Sequence, residues 1–272
     1  MFPDKNSPAA DGPKGTKRSD ETLDTLFNGE IKLYQDHDGY RFSLDAVLLA
    51  DFLICHDGEQ IADLGAGNGV IALILARLHP LLWITGVELQ PKMVDRANRN
   101  IRMNACADKV TMRQADVRYF QETFAPGSFA AVVCNPPYRR VGSGRISPNA
   151  EKKIARHEIT AGLVDFLRAG GYVLPIKGRM ALIYPARRIV DLLQCMRNAN
   201  LEPKRLRMVH SFADAEASLV LVEGVKGGRS GVKVLSPLCV YKQGNLYTPE
   251  IEAILAGRTA TSRSVVWRSN LP

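Results

Sequence analysis

Apolar and polar residues alternate along the chain in blocks that predict strands followed by helices. Short apolar runs typical of buried strands occur at 60–65, 83–89, 110–114, 129–134, 180–184, 205–210 and 218–223. Longer segments with helical spacing of apolar residues occur at 70–78, 92–105, 160–169 and 187–198. Because strands and helices follow each other repeatedly, we expect an α/β fold with a mostly parallel, seven-stranded sheet and helices on both of its faces.

The ends of the chain do not follow this pattern. Residues 1–25 are polar and rich in proline and glycine, and they predict a disordered arm, whereas 257–272 predict a flexible tail. The folded domain is then expected to span 26–256, with an additional edge strand within 232–241. On the helix predicted at 92–105, Met93, Ala97 and Ile101 share one face, so we expect the arginines at 96 and 99 to point away from the core.

Composition narrows the protein class further. The chain has 272 residues, of which 46% are hydrophobic and 24% charged, as in ordinary globular proteins. The sequence shows neither an apolar stretch of the ~20 residues that a membrane span needs nor a secretory signal, which favours a cytoplasmic protein without membrane contact. Its five cysteines are scattered and never form a C-x-x-C pair, so we predict neither a disulfide framework nor a metal site.

Positive charge is concentrated in the second half of the chain. The net charge is +8, and residues 139–210 alone hold 15 basic and 5 acidic residues. Such an excess favours a polyanionic partner such as RNA, although a solvated basic surface is the alternative interpretation.

A glycine-rich turn follows the first strand of the predicted sheet. Asp63 is followed by Gly65, Gly67 and Gly69 at alternate positions, at the place where open α/β sheets bind their ligands. The spacing differs from the dinucleotide fingerprint G-x-G-x-x-G because Val70 stands where that fingerprint needs glycine. Nicotinamide and flavin cofactors are therefore disfavoured.

Two further carboxylates end the next two predicted strands. Glu88 lies at the end of the second strand, where it can accept hydrogen bonds from both hydroxyls of a ribose. Asp116 follows the third strand, where it can accept from an exocyclic adenine amine. Together with the glycine turn, these residues predict a site for a nucleoside-containing cofactor.

The fourth strand ends in the motif Asn135-Pro136-Pro137-Tyr138. Consecutive prolines cannot continue a strand ladder, so the chain must turn outward at this point. The side-chain oxygen of Asn135 and the carbonyl of Pro136 can then accept from one planar amino group while the ring of Tyr138 stacks on a flat base or amide. Acceptors that draw the amine hydrogens out of plane make its nitrogen more nucleophilic, so we predict catalytic roles for Asn135, Pro136 and Tyr138.

These motifs resemble those of class I S-adenosylmethionine-dependent methyltransferases. The resemblance implies a Rossmann-like fold, S-adenosylmethionine as cofactor, and a cofactor site formed by the glycine turn and the carboxylates described above, with Asn135 beside it. The Asn-Pro-Pro-Tyr motif is similar to that of amino-methyltransferases that act on adenine N6, cytosine N4, guanine N2 or glutamine N5. Several acceptors are therefore compatible with the motif.

A further resemblance narrows the acceptor. The segment 39–46, which contains Asp45, is similar to the segment that opens the bacterial tRNA1(Val) adenine-37 N6-methyltransferase family, and the likeness covers roughly residues 30–250. In that family the segment closes over the methionine end of the cofactor, which implies a cofactor-binding role for Asp45. The basic segment after the motif agrees with an RNA substrate, and we expect Arg139, Arg140 and Arg145 to contact its phosphates.

Other functions remain open on the sequence alone. Protein glutamine N5-methyltransferases share the motif, but they usually carry a helical domain before the glycine turn, for which this chain has little room. An rRNA amino-methyltransferase is a second alternative, and a non-catalytic RNA-binding module is a third. The third is disfavoured because Glu88, Asp116 and Asn135 are all present. The sequence does not indicate an oligomeric state.

Overall fold

The computed structural model describes residues 17–37, 44–138 and 161–258. Its helices are α1 (Leu44–Phe52), α2 (Val70–Leu78), α3 (Pro91–Met103), α4 (Leu163–Val173), α5 (Ile189–Asn198) and α6 (Pro249–Leu255). Its longer strands are β1 (Glu21–Leu26), β2 (Ile31–Asp36), β3 (Gln60–Leu64), β4 (Trp83–Glu88), β5 (Val110–Gln114), β6 (Ala131–Cys134), β7 (Arg179–Pro185), β8 (Leu201–His210) and β9 (Ala217–Lys226). Four short strands follow, β10 (Lys233–Val234), β11 (Leu238–Cys239), β12 (Tyr241–Gln243) and β13 (Leu246–Tyr247).

The central sheet has the order β10-β8-β9-β7-β6-β3-β4-β5, and β11 also pairs with β8. Strands β3 to β7 run parallel to one another, whereas β9 is antiparallel to both of its neighbours. This confirms the predicted mostly parallel sheet of seven main strands, to which β10 and β11 add two short edge strands from the segment 232–241. The order of the parallel strands reverses between β3 and β6, which is where ligands bind in folds of this kind.

The central strands are buried because helices cover both faces of the sheet. All four residues of β6 are buried, and the middle of β7 is an uninterrupted apolar run. Helix α2 is buried along seven of its residues, from Val70 to Ala76, and packs in one of two hydrophobic clusters that lie on either side of the sheet. The core therefore holds the carboxyl ends of the parallel strands rigidly at one edge.

The prediction of a disordered arm is wrong for residues 21–25, because these residues belong to β1, which forms an antiparallel hairpin with β2. Leu26, Ile31 and Leu33 of this hairpin are buried in the core. The short, polar sequence of β1 gives only a weak strand signal. The hairpin is stabilised by contacts with α3, which is distant in sequence, so the local pattern does not predict it. Residues 1–16 are outside the described part of the chain, as are 259–272 of the predicted tail.

The arginines of α3 explain why the hairpin is ordered. Arg96 and Arg99 were expected to face away from the core, but they are 5% and 4% exposed and bind the buried carboxylate of Glu21. The Nε of Arg96 donates to Oε1 of Glu21 over 2.8 Å, and Nη1 of Arg99 donates to Oε2 over 2.8 Å. Burial raises the pKa of Glu21, but the hydrogen bonds from Arg99 and Arg96 outweigh it and lower this pKa to about 2.

A buried amide joins the hairpin to the glycine turn. Oδ1 of Asn100 in α3 accepts from the backbone N–H of Tyr34 over 2.7 Å, and its Nδ2 donates to the Tyr34 carbonyl over 3.2 Å and to the Asn68 carbonyl over 3.0 Å. Asn68 lies within the glycine turn, so a single side chain connects β2 to this turn.

No helix in the described ranges is both long enough and apolar enough to cross a membrane.

Candidate active site

The predicted motifs meet at the carboxyl edge of the sheet. Leu64 pairs with Val87 on one side and with Cys134 on the other. The glycine turn, Glu88 and Asn135 directly follow these three paired residues, so they lie side by side at the ends of neighbouring parallel strands. The glycine turn and Asn135 flank the reversal of strand order between β3 and β6. The structure therefore brings together the two loops that the sequence singles out.

The glycine turn needs glycine for two different reasons. Gly65, Gly67 and Gly69 have φ angles of +75°, +55° and +82°, which other residues rarely adopt. A Cβ atom at Gly65 would lie 3.1 Å from the ring of Phe166, and one at Gly69 would lie 3.3 Å from Ala97, whereas one at Gly67 would meet nothing within 4 Å. Gly65 and Gly69 therefore allow close packing against Phe166 and Ala97, while Gly67 faces open space.

The carboxylate of Glu88 accepts two backbone hydrogen bonds, one of which comes from the glycine turn. One of its oxygens, Oε2, accepts from the Gly67 N–H over 3.0 Å, and Oε1 accepts from the Gln90 N–H over 2.9 Å. Because a carboxylate has about four lone-pair sites, each oxygen retains capacity for one further donor. This arrangement suits the two hydroxyls of a ribose, as the sequence predicts.

Asp63 lies near the carboxyl end of β3, close to the backbone of Ala72 in α2. Its side chain is fully buried, and neither carboxylate oxygen has a hydrogen-bond partner among the described residues. Burial raises the pKa of Asp63 to about 7. The backbone N–H of Ala72 lowers this pKa without forming a hydrogen bond of normal geometry, and the nearby negative charge of Glu88 raises it. A buried carboxylate without a partner fits a site whose ligand carries positive charge, as S-adenosylmethionine does.

Asp116 follows β5 and begins a 3₁₀ helix, Val117–Glu122. Its carboxylate accepts from the backbone N–H of Arg118 over 2.9 Å and from the Arg118 guanidinium over 3.0 and 2.5 Å. The hydrogen bonds from the Arg118 side chain lower the pKa of Asp116. The predicted role of Asp116 toward an adenine amine therefore involves a carboxylate that is already paired.

The end of β6 holds the second loop. Strand β6 ends at Cys134, directly before the motif, and of the two prolines that follow Asn135, Pro136 is buried and Pro137 is exposed. The ring of Tyr138 meets the ring of Tyr184 edge to face, with centroids 5.9 Å apart. Arg188 donates to the Tyr138 carbonyl over 3.3 Å and lies over the Tyr184 ring, which fixes this loop from the side of β7.

Asp45 contacts this loop. It lies in the first turn of α1, and its Oδ2 is 2.9 Å from the Tyr138 hydroxyl oxygen, which is itself 2.8 Å from Oδ1 of Asn135. The sequence predicts a cofactor-binding role for Asp45, but it does not predict this contact with the Asn-Pro-Pro-Tyr motif.

Some predicted residues cannot be placed in the site, and some residues of the site were not predicted. Arg139, Arg140 and Arg145 lie outside the described residues. Asn100, Phe166 and Arg188 support the two loops, yet none belongs to a recognisable motif, and only their contacts in the fold identify them. Within the described ranges, no group of three or more histidine, cysteine, aspartate or glutamate side chains is arranged to hold a metal ion.

The strand order, the glycine turn and the carboxylates at the strand ends define a Rossmann-like methyltransferase of class I. The chain belongs to the methyltransferase small domain family, whose model matches residues 42–186. It is therefore a methyltransferase, and S-adenosylmethionine, the cofactor predicted from the sequence, is confirmed by this family.

Individual proteins resemble the chain over most of its length. A protein of Histophilus somni named tRNA1(Val) (adenine(37)-N6)-methyltransferase is 26% identical over 235 residues, which cover 83% of this chain and 92% of that protein. A protein of the same name from Porphyromonas gingivalis is 29% identical over 167 residues, or 61% of this chain and 65% of that protein. A crystal structure of a predicted O-methyltransferase from Agrobacterium tumefaciens matches with a TM-score of 0.64 at 22% identity, covering 79% of this chain and 97% of that one, and supports the fold.

Proposed function

We propose that this methyltransferase transfers a methyl group to the exocyclic N6 amine of an RNA adenine, namely adenine 37 of tRNA1(Val). The observation that carries the proposal is the position of Asn135 and Tyr138 beside the glycine turn, at the same edge of one sheet. The names of the Histophilus and Porphyromonas proteins support the choice of acceptor.

The residues of the glycine turn fit S-adenosylmethionine. When bound, this cofactor supplies an electrophilic methyl group on a positively charged sulfur. Asp63 offers a buried negative charge, Gly67 leaves open space, and Glu88 has acceptor capacity for a ribose. Asp116 is proposed to orient the adenine end from the neighbouring loop.

The residues at the end of β6 prepare the acceptor amine. Oδ1 of Asn135 and the carbonyl of Pro136 accept its two hydrogens, and the Tyr138 ring stacks on the base. These bonds make the amine nitrogen less planar and therefore more nucleophilic, so a separate general base is not needed before transfer. The nitrogen becomes acidic when it gains the methyl group and then releases one of its protons to solvent. Placing both loops at one edge holds the reacting groups close together, which is the main contribution of the chain to the rate.

An RNA substrate agrees with the charge distribution. Residues 139–210 carry a large excess of basic side chains, and Arg139, Arg140 and Arg145 follow the catalytic motif directly. A ring such as that of Tyr138 suits an unpaired base that has left its stack. We place this activity in the cytoplasm.

The role of Asn135 is tested by replacing it with alanine. We expect Asn135→Ala to abolish methyl transfer while the affinity for S-adenosylhomocysteine, measured by calorimetry, changes little. The matched control is Asn198→Ala, which removes an exposed amide at the end of α5 and leaves activity unchanged. Equal loss of transfer and cofactor affinity in Asn135→Ala would assign the residue a structural role instead.

The acceptor is tested by mass mapping of methylated products. Total tRNA, rRNA and protein are compared between cells with and without the gene. We expect N6-methyladenosine at position 37 of tRNA1(Val) to depend on the gene. A mark on a protein glutamine or on rRNA that depends on the gene would replace this acceptor.

A further inference from the structure

The Tyr138 hydroxyl lies between two acceptors that belong to different parts of the chain. Its oxygen is 2.9 Å from Oδ2 of Asp45 and 2.8 Å from Oδ1 of Asn135, which are 93 and 3 residues away. A hydroxyl has one hydrogen, so it donates to only one of these oxygens at a time. Asp45 and Asn135 therefore compete for the same hydrogen.

This competition matters because Asn135 has a second task. Its Oδ1 must accept a hydrogen of the substrate amine, and an oxygen that already accepts from Tyr138 is a weaker acceptor for a second donor. A carboxylate accepts stronger hydrogen bonds than a neutral amide does. Asp45 is thus the favoured partner of the hydroxyl.

We propose that Asp45 is a positioning residue that draws the Tyr138 hydroxyl hydrogen toward itself and so leaves Oδ1 of Asn135 to bind the acceptor amine. This inference rests on the proposed function. The same bond anchors the Tyr138 side chain to α1, in addition to its edge contact with Tyr184. Asp45 then acts through Tyr138, which differs from direct binding of the cofactor.

The inference predicts an unusual relation between two variants. In Asp45→Asn the competing acceptor loses its charge, the Tyr138 hydroxyl donates to Asn135, and we expect kcat to fall about tenfold. Tyr138→Phe keeps the ring but removes the hydrogen for which the two residues compete, so its loss is smaller. The double variant should regain the kcat of Tyr138→Phe, above that of Asp45→Asn alone.

The experiment measures transfer of labelled methyl groups to total tRNA from cells that lack the gene, at saturating cofactor. Affinity for S-adenosylhomocysteine and the temperature of unfolding are measured for each variant, and both should match the wild-type values. Asp57→Asn, which neutralises an exposed carboxylate, is the matched control. If Asp45→Asn unfolds at a lower temperature, Asp45→Ala in the same pair of backgrounds provides a second measurement, with the same expected rescue by Tyr138→Phe.

Three results would overturn the inference: an unchanged kcat in Asp45→Asn, a loss of cofactor affinity as large as the loss of kcat, or no recovery in the double variant. The second result would assign Asp45 to the cofactor. Failure of the proposed function is recognised separately, because wild-type protein would then leave adenine in the tRNA unmethylated.

Discussion

Two buried carboxylates in this molecule have opposite surroundings. Glu21 of the hairpin is 3% exposed and is paired with two arginines of α3, and its pKa lies at about 2. Asp63 at the glycine turn is 0% exposed and has no hydrogen-bond partner among the described residues, and its pKa lies at about 7. Both side chains are hidden from water, but Asp63 lies deeper in the protein than Glu21, so its deeper burial and its lack of a positively charged partner both contribute to the difference.

Glu21 has a structural role, whereas for Asp63 we expect a role in binding. Glu21 is satisfied within the chain, and it holds the hairpin against α3. Asp63 has no positively charged partner and no hydrogen bond of normal geometry among the described residues, which costs stability unless a ligand supplies positive charge. A buried acid that the fold does not satisfy is thus the stronger indication of a binding site.

The largest effect on stability is expected at the paired carboxylate. Glu21→Gln removes the buried counter-charge that Arg96 and Arg99 share and leaves them only the more exposed carboxylates of Asp36 and Asp95. We expect the free energy of unfolding to fall by about 3–5 kcal/mol. Urea unfolding measures the change. A loss below about 1 kcal/mol would mean that the ion pairs contribute little to stability and that Glu21 does not differ from Asp63 in this respect.

The same neutralisation at the unpaired carboxylate should have the opposite result. Asp63→Asn keeps the shape of the side chain and removes the cost of its buried charge, so the protein without cofactor should be at least as stable as the wild type. We expect its affinity for S-adenosylmethionine to fall about 10- to 100-fold, because a charged interaction is lost. Calorimetric titration measures this, and unchanged affinity would remove Asp63 from the site.

The pH dependence of stability distinguishes the two residues in one protein. The pKa of Glu21 falls from 4.5 to about 2 on folding, so its contribution is present above pH 4.5 and is lost as the pH falls toward 2. The pKa of Asp63 rises from 3.8 to about 7 on folding, because the folded state favours the protonated carboxyl. The contribution of Asp63 to stability is therefore fully present below pH 3.8 and is lost as the pH rises through 7.

Urea unfolding between pH 2 and pH 8 tests both parts. Glu21→Gln should abolish much of the loss on the acid side, and Asp63→Asn should flatten the decline between pH 4 and pH 7. A wild-type profile without that decline would contradict the raised pKa of Asp63.

The smallest effect on stability is expected at arginines for which we predict a role in RNA binding. Arg139→Ala with Arg140→Ala should leave the free energy of unfolding unchanged but weaken RNA binding. The slope of log affinity against log salt should become shallower by about 1 to 2, because two phosphate contacts are lost. Lys32→Ala with Arg77→Ala, which removes two exposed basic side chains elsewhere, is the control. Equal slopes in the two double variants would place the RNA elsewhere.

The sequence predicts the central fold because its local signals agree with its long-range packing. Helix α2 has the predicted bounds, and β5 begins and ends where its alternation indicates. The site motifs were recognisable for a related reason, since each lies at a strand end, and parallel strands bring their ends to one edge.

The contacts that the sequence does not predict are those between distant polar residues. Glu21 binds arginines that follow it by 75 and 78 residues, and Tyr138 contacts an aspartate 93 residues before it. A charged residue on a helix is ordinarily solvated, so the sequence pattern of α3 predicts that Arg96 and Arg99 face the solvent. Only the fold shows that a partner is available to bury them.

The amide of Asn100 couples the stability of the hairpin to that of the glycine turn. It holds the backbone of β2 and the backbone of the glycine turn at once, so fraying of the hairpin and loosening of the turn are thermodynamically linked. By reciprocity, occupancy of the turn should slow hydrogen exchange at the Tyr34 amide. A segment that never touches the methyl group thereby reports whether the cofactor is present.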